Sequence, residues 1–470
     1  MQAVREGMRC MCGASFGAGS DGALHCNACG KDFPVEDGIP LLIEDGAATA
    51  LDQIDYDAVY RIDDKASMAF AAAQLELLGP RLRRPVESFL EIGAGTGQFT
   101  LGFLRQARPT RTLVTDISPG MLSACRARLR ANGITGPDIG FAAWDGTTPL
   151  APEAFDFIAG YSVLHHVLDY QAMISSLARA LRPGGIAVFL EPNYRFHLAM
   201  VETACEILVA AQGSPEWQRD DLQHLADWTY ENNVNLRFRG DERVLAGRED
   251  KHLFDADQLR EAGRQAGMHA VELLASADES LSAMDVYSAQ MNLSPRARDD
   301  LMARYARLLP GPFAHLAAED LAASSTIVFS RSTTPSTAAA AVLPKRVALP
   351  LDGAQLRCDL AFDRSDGETG VRADGWILGD RDLAYVGLRQ GDAEWLFPVA
   401  GVRMDVQSAV NSAREYPIRR ALFSGVSAGC AGTMTSGELQ VFAIGTDGSS
   451  VGLGSTKAEG EPVAARFSIL

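Results

Sequence analysis

The stretch 89-FLEIGAGTGQF limits what this chain can fold into more than any other. An apolar run ending at Glu91-Ile92 reads as a buried strand, and it passes directly into Gly93-Ala94-Gly95-Thr96-Gly97 and then a helix-like segment. Alternate glycines at such a junction allow a tight turn and let a ligand touch the backbone. The N–H groups exposed at the following helix start favour an anionic group. The spacing is G-x-G-x-G. A dinucleotide fingerprint would place its third glycine at position 98, where this chain has Gln98, and that weakens a nicotinamide reading.

A strand–loop–helix unit needs a sheet around it, and the flanking sequence offers the strands. Candidates are 88-SFLEI, 112-TLVTDI, 139-IGFAAW, 155-FDFIAGY, 186-IAVFLEP and 326-TIVFSR, with helices expected over 98–107, 119–132 and 171–182. Strands alternating with helices predict an α/β fold with a parallel sheet. Four segments are expected: a cysteine-bearing segment over 1–46, the α/β domain over 52–332, a Ser/Thr/Ala/Pro linker over 333–345, and a module over 346–470. In the last segment the helical pattern stops. Short strands such as 374-DGWIL, 383-LAYVGLR, 394-EWLFPV and 438-ELQVFAIG predict an antiparallel β-sandwich.

Composition narrows the function classes. Of 470 residues, 47% are hydrophobic and 22% charged, which excludes a largely disordered chain. With 43 basic and 60 acidic side chains the net charge is −17, which argues against nucleic acid as a partner and against docking on anionic lipid. The start, MQAVREGMRCMCG, has no apolar core of a secretory signal, and no long apolar run predicts membrane insertion. Four of eight cysteines fall in the first 30 residues and the rest are scattered singly. That is no disulfide framework, and a cytoplasmic location is expected.

Two acidic residues follow the glycine loop in order. Asp116 closes the second strand, where a carboxylate can accept hydrogen bonds from both ribose hydroxyls of a nucleoside ligand. Asp145, in 143-AWDG, closes the third and can accept from an exocyclic adenine amine, with Trp144 available to pack near the ring. Turn and cap formation is the alternative role for these residues. Together with 91-EIGAGTG, 115-TDISPGML, 155-FDFIAGYSVLHHVLD and 177-LARALRPGGIAVFLEPN, they resemble the Rossmann-like methyltransferases that use S-adenosylmethionine (SAM). The likeness covers roughly residues 55–332, ending in 253-LFDADQLREAGRQAGM and 326-TIVFSR. It implies a SAM site built from Glu91, Gly93, Gly95, Gly97, Asp116, Ile117, Met121, Asp145, Gly146 and Tyr161.

The implied cofactor carries its own electrophilic methyl group, so the protein must mainly orient the acceptor. A base is needed only for a hydroxyl or a protonated amine. Candidates are His165, His166 and Glu191, at the ends of the fourth and fifth strands. The bland alternatives are that the histidines pack at a helix start and that Glu191 anchors a loop; for Glu191 the anchor is favoured. Tyr56 and Tyr60 precede the first strand, as a lid over the cofactor or as core.

Cys10-Met11-Cys12-Gly13 and Cys26-Asn27-Ala28-Cys29-Gly30 look like the halves of a zinc ribbon, in which four thiolates hold a structural Zn2+. The first pair is C-x-C rather than C-x-x-C, and His25 is a possible substitute ligand. Asp37-Gly38, within 33-FPVEDGIPLLI, predicts a tight hairpin turn. The segment resembles the zinc ribbon that precedes some ribosomal RNA methyltransferases, and also the Trm112-like activator domain. The alternative is four reduced cysteines in a small hairpin unit.

The carboxy-terminal segment resembles β-sandwich modules of bacterial glycan-processing enzymes, through 372-RADGWILGDRDLAYVGLRQGDAEW, 401-GVRMDV and 417-PIRRALFSGVSAG. Trp376 and Trp395 there are either sugar-stacking platforms or core, and core is favoured. Residues 193–250, with Tyr194, Arg195, His197, Trp217, Trp228, Tyr230 and Arg237, form an insertion of the kind that covers an acceptor pocket. The expected acceptor is a sugar or glycan hydroxyl or a related small metabolite. RNA methylation and a non-catalytic SAM-binding scaffold are the competing readings. A protein partner or a second copy is expected to use the carboxy-terminal module.

Overall fold

A computed structural model describes residues 1–19, 23–43, 63–82, 85–210, 214–237, 242–245, 248–274, 288, 291–308, 324–331, 356–364, 371–379, 383–391, 393–399, 423–426, 435–445, 449–458 and 464–469. The chain begins with α1 (Gln2–Gly7), β1 (Phe16–Ala18), β2 (Leu24–Cys26), β3 (Asp32–Phe33), β4 (Val35–Glu36) and β5 (Ile39–Leu42). Then come α2 (Asp64–Leu78), β6 (Ser88–Ile92), α3 (Gln98–Ala107), β7 (Arg111–Asp116), α4 (Pro119–Ala131), β8 (Ile139–Trp144) and β9 (Phe155–Tyr161). A 3-10 turn (Leu164–His166) leads to α5 (Tyr170–Ala180) and β10 (Leu181–Pro192). Next are α6 (Tyr194–Ala210), α7 (Arg219–Arg237), α8 (Glu242–Leu245), α9 (Ala256–Gln265), β11 (Met268–Leu274), α10 (Pro295–Leu308) and β12 (Ser324–Arg331). The remainder is β13 (Leu356–Arg364), β14 (Val371–Gly379), β15 (Leu383–Gln390), β16 (Ala393–Pro398), β17 (Phe423–Val426), β18 (Gly437–Gly445), β19 (Ser450–Ala458) and β20 (Ala464–Ile469).

Packing gathers these elements into two compact units: Met1–Pro192 with Phe254–Ala275 and Ser324–Ala340, and Asn193–Leu253 with Ser276–Ala323 and Ala341–Leu470. The first is a Rossmann-like α/β unit. Its sheet runs β11-β12-β10-β9-β6-β7-β8-β5-β4. The strands from β10 to β5 are parallel, while β12, β11 and β4 run antiparallel to their neighbours. All five residues of β6 are buried, as a central strand covered on both faces requires. Phe89 stacks on Phe157 at 5.4 Å between ring centres and meets Phe103 of α3 at 4.3 Å. Helix starts follow local chemistry: Ser118 accepts from the Met121 N–H with Pro119 in the first turn, and Asp169 accepts from the Ala172 N–H.

The amino-terminal segment is built into this sheet. Asp37 and Gly38 both have positive φ and join β4 to β5 with Glu36 opposite Ile39, the geometry of a type I′ hairpin. The sequence predicts that turn but not its destination: β5 pairs in parallel with β8, Leu42 opposite Trp144. Helix α1 lies against the same sheet. A Cβ on Gly7 would come within 2.9 Å of Leu113 and Phe155.

In the second unit α6, α7 and α10 pack around Phe196, Met200, Leu225, Leu301 and Tyr305. Two four-stranded antiparallel sheets follow, β17-β14-β13-β20 and β16-β15-β18-β19. One face of the second sheet (Val386, Leu388, Trp395, Phe397, Val441) packs with Ile377 of the first. Its other face (Ala384, Leu396, Phe442) packs on Val234 of α7 and Val244 of α8. Trp376 is 7% exposed and Trp395 fully buried, so both are core rather than platforms for a sugar ring. Among the described residues, no helix is long and apolar enough to cross a membrane.

Candidate active site

The order of the first sheet reverses at β6: the chain proceeds outward through β7 and β8, then crosses back to β9 on the other side. Ligands of such sheets bind at that reversal, outside the carboxyl ends of the strands. The carboxyl ends of β6, β7, β8, β9 and β10 carry Glu91, Asp116, Asp145, Tyr161 and Glu191 respectively. The sequence-predicted residues therefore share one edge of one sheet.

The glycine loop is shaped by backbone and by close packing. Gly93, Gly95 and Gly97 have φ of +62°, +53° and +92°. A Cβ on Gly93 would lie 2.5 Å from Val163, and one on Gly97 would lie 2.7 Å from the Cys125 sulfur. Gly97 is the residue from which α3 starts. Asp116, 8% exposed, organises the turn: one oxygen accepts from the Gly95 N–H at 2.8 Å and the other from the Ser118 N–H at 2.9 Å. Arg128 donates to the Thr96 carbonyl and hydroxyl from the far side, at 3.1 and 3.2 Å.

Below the loop, Glu91 accepts a 2.6 Å hydrogen bond from Thr100. Burial, with a smaller contribution from the Asp116 charge, pushes its carboxyl up to about 8, so it is mostly neutral at pH 7. The Tyr161 hydroxyl is buried with no hydrogen-bond partner among the described residues, while its ring packs on Phe99 at 4.4 Å and Phe70 at 5.0 Å. A buried hydroxyl without a partner is costly unless a ligand completes it.

On the third strand, Asp145 accepts from the Thr147 N–H (2.9 Å) and hydroxyl (2.6 Å), and Gly146 has φ of +91°. Trp144 takes a different position from the expected one beside a ligand ring. Its indole is 3% exposed and donates to the Thr148 carbonyl at 2.8 Å, so it is core beneath the loop. Met121 is buried and Ile117 half-buried at the start of α4.

The Glu191 carboxylate, 1% exposed, gathers the end of β9. It accepts from the N–H groups of Val163 (3.2 Å), Leu164 (2.7 Å) and His165 (3.2 Å), and its Oε2 lies 2.6 Å from His165 Nδ1. Ser162, with φ of +55°, turns the chain so that these groups converge. Glu191 therefore anchors the loop and orients the imidazole at once. A carboxylate on Nδ1 assigns the ring proton there and directs Nε2 to accept. The His166 ring lies 3.9 Å from that of His165, tilted by 43°. Tyr56 and Tyr60 lie outside the described residues.

The four amino-terminal cysteines converge. Cys10 and Cys29 sulfurs are 3.6 Å apart, Cys12 and Cys26 are 3.5 Å apart, and all four lie within 4.8 Å of one another. Disulfides would be far shorter. Four thiolates at tetrahedral Zn–S distances would sit about 3.8 Å apart, so the C-x-C pair reaches as well as the C-x-x-C pair. Gly13 and Gly30 follow each pair with positive φ and close turns onto the Cys10 and Cys26 carbonyls. The N–H groups of Cys29 and Ala28 hold the Cys26 thiol down to about 6. His25 instead pairs with Asp32 at 2.7 Å.

Residues 90–189 match the family described as "Methyltransferase domain". The chain is 34% identical over 109 residues to the ubiquinone/menaquinone biosynthesis C-methyltransferase of Vibrio campbellii, covering 23% of this chain and 42% of that protein. It is 31% identical over 148 residues to the malonyl-[acyl-carrier protein] O-methyltransferase of Serratia marcescens, covering 30% and 55%. The chain thus spans about half the length of these relatives. Among solved structures, it is similar to the S-adenosylmethionine dependent methyltransferase of Mesorhizobium loti (21% identity, TM-score 0.32, 55% of this chain and 96% of that one). It is also similar to phosphoethanolamine N-methyltransferase 2 of Haemonchus contortus (13% identity, TM-score 0.34, 62% of each chain). The matched segment, residues 90–189 of the α/β unit, holds the glycine loop, Asp116, Asp145, Tyr161 and His165.

Proposed function

We propose that this protein transfers a methyl group from SAM to a hydroxyl or similar nucleophile of a small metabolite or sugar. The observation that carries the reading is that Glu91, Asp116 and Asp145 stand at the carboxyl ends of neighbouring strands beside one glycine loop, with a buried Tyr161 hydroxyl that has no hydrogen-bond partner among the described residues, in a segment matched as a methyltransferase domain. When bound, SAM supplies an electrophilic methyl carbon on a sulfonium. Asp116 would hold the ribose hydroxyls and Asp145 the adenine amine, with Ile117 and Met121 along the base. The loop N–H groups, Tyr161 and the neutral Glu91 would face the amino-acid end.

His165 would take the acceptor proton at Nε2, with Glu191 stabilising the imidazolium through Nδ1. The one carboxylate thus fixes both the position and the tautomer of the ring. Net charge −17 favours a small acceptor over RNA. Burial of Trp376 and Trp395 removes the sequence-level support for glycan stacking. We further propose a closed, structural Zn2+ site at Cys10, Cys12, Cys26 and Cys29, leaving no open position for catalysis.

The test is transfer of labelled methyl from SAM into fractionated small metabolites, glycans, RNA and protein, beside calorimetric SAM binding. Label in the metabolite or glycan fraction supports the reading, and label confined to RNA or protein overturns the acceptor class. Asp116→Ala should weaken SAM binding by about tenfold or more, the loss of charge-assisted hydrogen bonds. Unchanged affinity would remove the cofactor assignment. Binding without transfer to any fraction would leave a scaffold.

A further inference from the structure

Asp145 lies on a loop that is held from below by the cysteine segment. The Trp144 indole bonds the Thr148 carbonyl, the Arg9 N–H bonds the Pro149 carbonyl at 2.8 Å, and the Ala151 N–H bonds the Gly7 carbonyl at 2.8 Å. Met8 and Leu150 form an isolated antiparallel bridge between those two bonds. The strand that follows the ribbon, β5, pairs with β8 at Ala143 and Trp144, immediately before Asp145. Cys10 and Cys26 are themselves core residues, in one apolar cluster with Phe16, Leu24, Phe33, Trp144, Leu150 and Ala151. The Asp145–Ala151 loop is therefore bounded at its start by β5 and along its length by residues 7–10, which run directly into the first thiol of the metal site.

We propose that the cysteine segment is a metal-dependent brace that positions the Asp145 loop, so that metal occupancy sets how selectively the protein reads the adenine end of its cofactor. This rests on the SAM reading above. With the four sulfurs tied, Cys10 fixes the path of Gly7–Arg9, and those backbone groups fix Pro149 and Ala151. Without the tie, Cys10 and Cys26 are buried thiols facing one another with no common ligand. The segment then loses the constraint that keeps two hydrogen bonds and the bridge in register. Asp145 is the group that suffers, because a carboxylate discriminates an amine from a carbonyl only when it is held in place. Asp116 and the glycine loop, fixed by Gly95, Ser118 and Arg128, are left unchanged.

The experiment compares S-adenosylhomocysteine with S-inosylhomocysteine, in which a carbonyl replaces the adenine amine. Zinc-loaded protein, with metal verified by elemental analysis, is set against the Cys12→Ser/Cys29→Ser protein, whose two replaced residues are exposed. Calorimetry gives each affinity, and amide exchange reports on Arg9 and Ala151. The loaded protein should favour the adenosyl ligand by about fivefold or more, the effect of one hydrogen bond. Without metal that ratio should fall toward one and both amides should exchange faster. Arg9→Pro is a second variant: Met8 is already extended, as a residue before proline must be. It removes the bond to Pro149 and should lower the ratio while metal is retained. A ratio unchanged by metal loss, equal weakening of both ligands, unchanged exchange at Ala151, or native protein that holds no metal would each overturn the brace. Loaded protein that binds neither ligand would instead remove the cofactor reading beneath it.

Discussion

At the scale of single residues, Glu91 and Glu191 are both buried carboxylates, yet their surroundings give them different tasks. Glu91 meets one hydroxyl donor and is pushed up to about 8, whereas Glu191 meets three backbone N–H groups and an imidazole. In the folded protein Glu91 holds its proton over a window from about 4.5 to about 8 in which the unfolded chain has released it. Its contribution to stability is therefore full below that window and is lost as pH rises through it. Glu91→Gln, which keeps the shape without the charge, should leave melting nearly unchanged near pH 4 and stabilise by more than about 1 kcal/mol above pH 8. A melting difference that is the same at both pH values would place the Glu91 titration elsewhere. For His165, replacement by Asn should lower kcat by about 100-fold while SAM affinity stays within about twofold. A normal kcat would show that the acceptor arrives already deprotonated, and that Glu191 serves the loop alone. Both histidines and Glu191 stand out in the sequence as polar residues at strand ends. Which of them meet is not legible there, because β9 and β10 bring the two segments together through the sheet.

At the scale of elements, the loop between β6 and α3 was the most legible feature. Its glycines answer local demands: positive φ and no room for a Cβ. Gly97→Ala places a methyl group 2.7 Å from the Cys125 sulfur at φ of +92°, so it should destabilise by about 2–4 kcal/mol. Adding Cys125→Ala should recover only part of this, since it relieves the clash and not the backbone strain. Full recovery in thermal unfolding would show that packing alone selects glycine there. The hairpin at Asp37-Gly38 was legible for the same local reason. Strand β11 is not legible in the sequence, because an edge strand of mixed polarity such as 268-MHAVELL carries little periodic signal.

At the scale of the molecule, the insertion and the carboxy-terminal strands share a core. Residues 193–253 supply Val234 and Val244 to the face of the sheet that presents Ala384, Leu396 and Phe442. The sheet is thus covered on one face by its partner sheet and on the other by helices. Phe442→Ala should cost about 3 kcal/mol and should lower amide-exchange protection in α7 as well as in β18. Protection lost in β18 alone would mean that helices and sheet fold independently. Trp395 is structural because it lies on the face that packs against the partner sheet, in one cluster with Ile377, Leu388 and Phe397.

What the sequence by itself determined lies within reach of a few neighbouring residues: the strand–glycine–helix turn, the helix caps, the hairpin turn, and the alternation that sets an α/β sheet with an all-β segment behind it. These follow from backbone sterics and hydrogen bonding over three to five positions. Only the tertiary structure decided that β5 extends the central sheet, that Trp144 supports the Asp145 loop from below, and that Glu191 orients His165. It also decided that the insertion packs on the carboxy-terminal sheet. Each depends on burial and register between segments distant along the chain, where the same side chain serves as core, anchor or site according to what the fold places beside it.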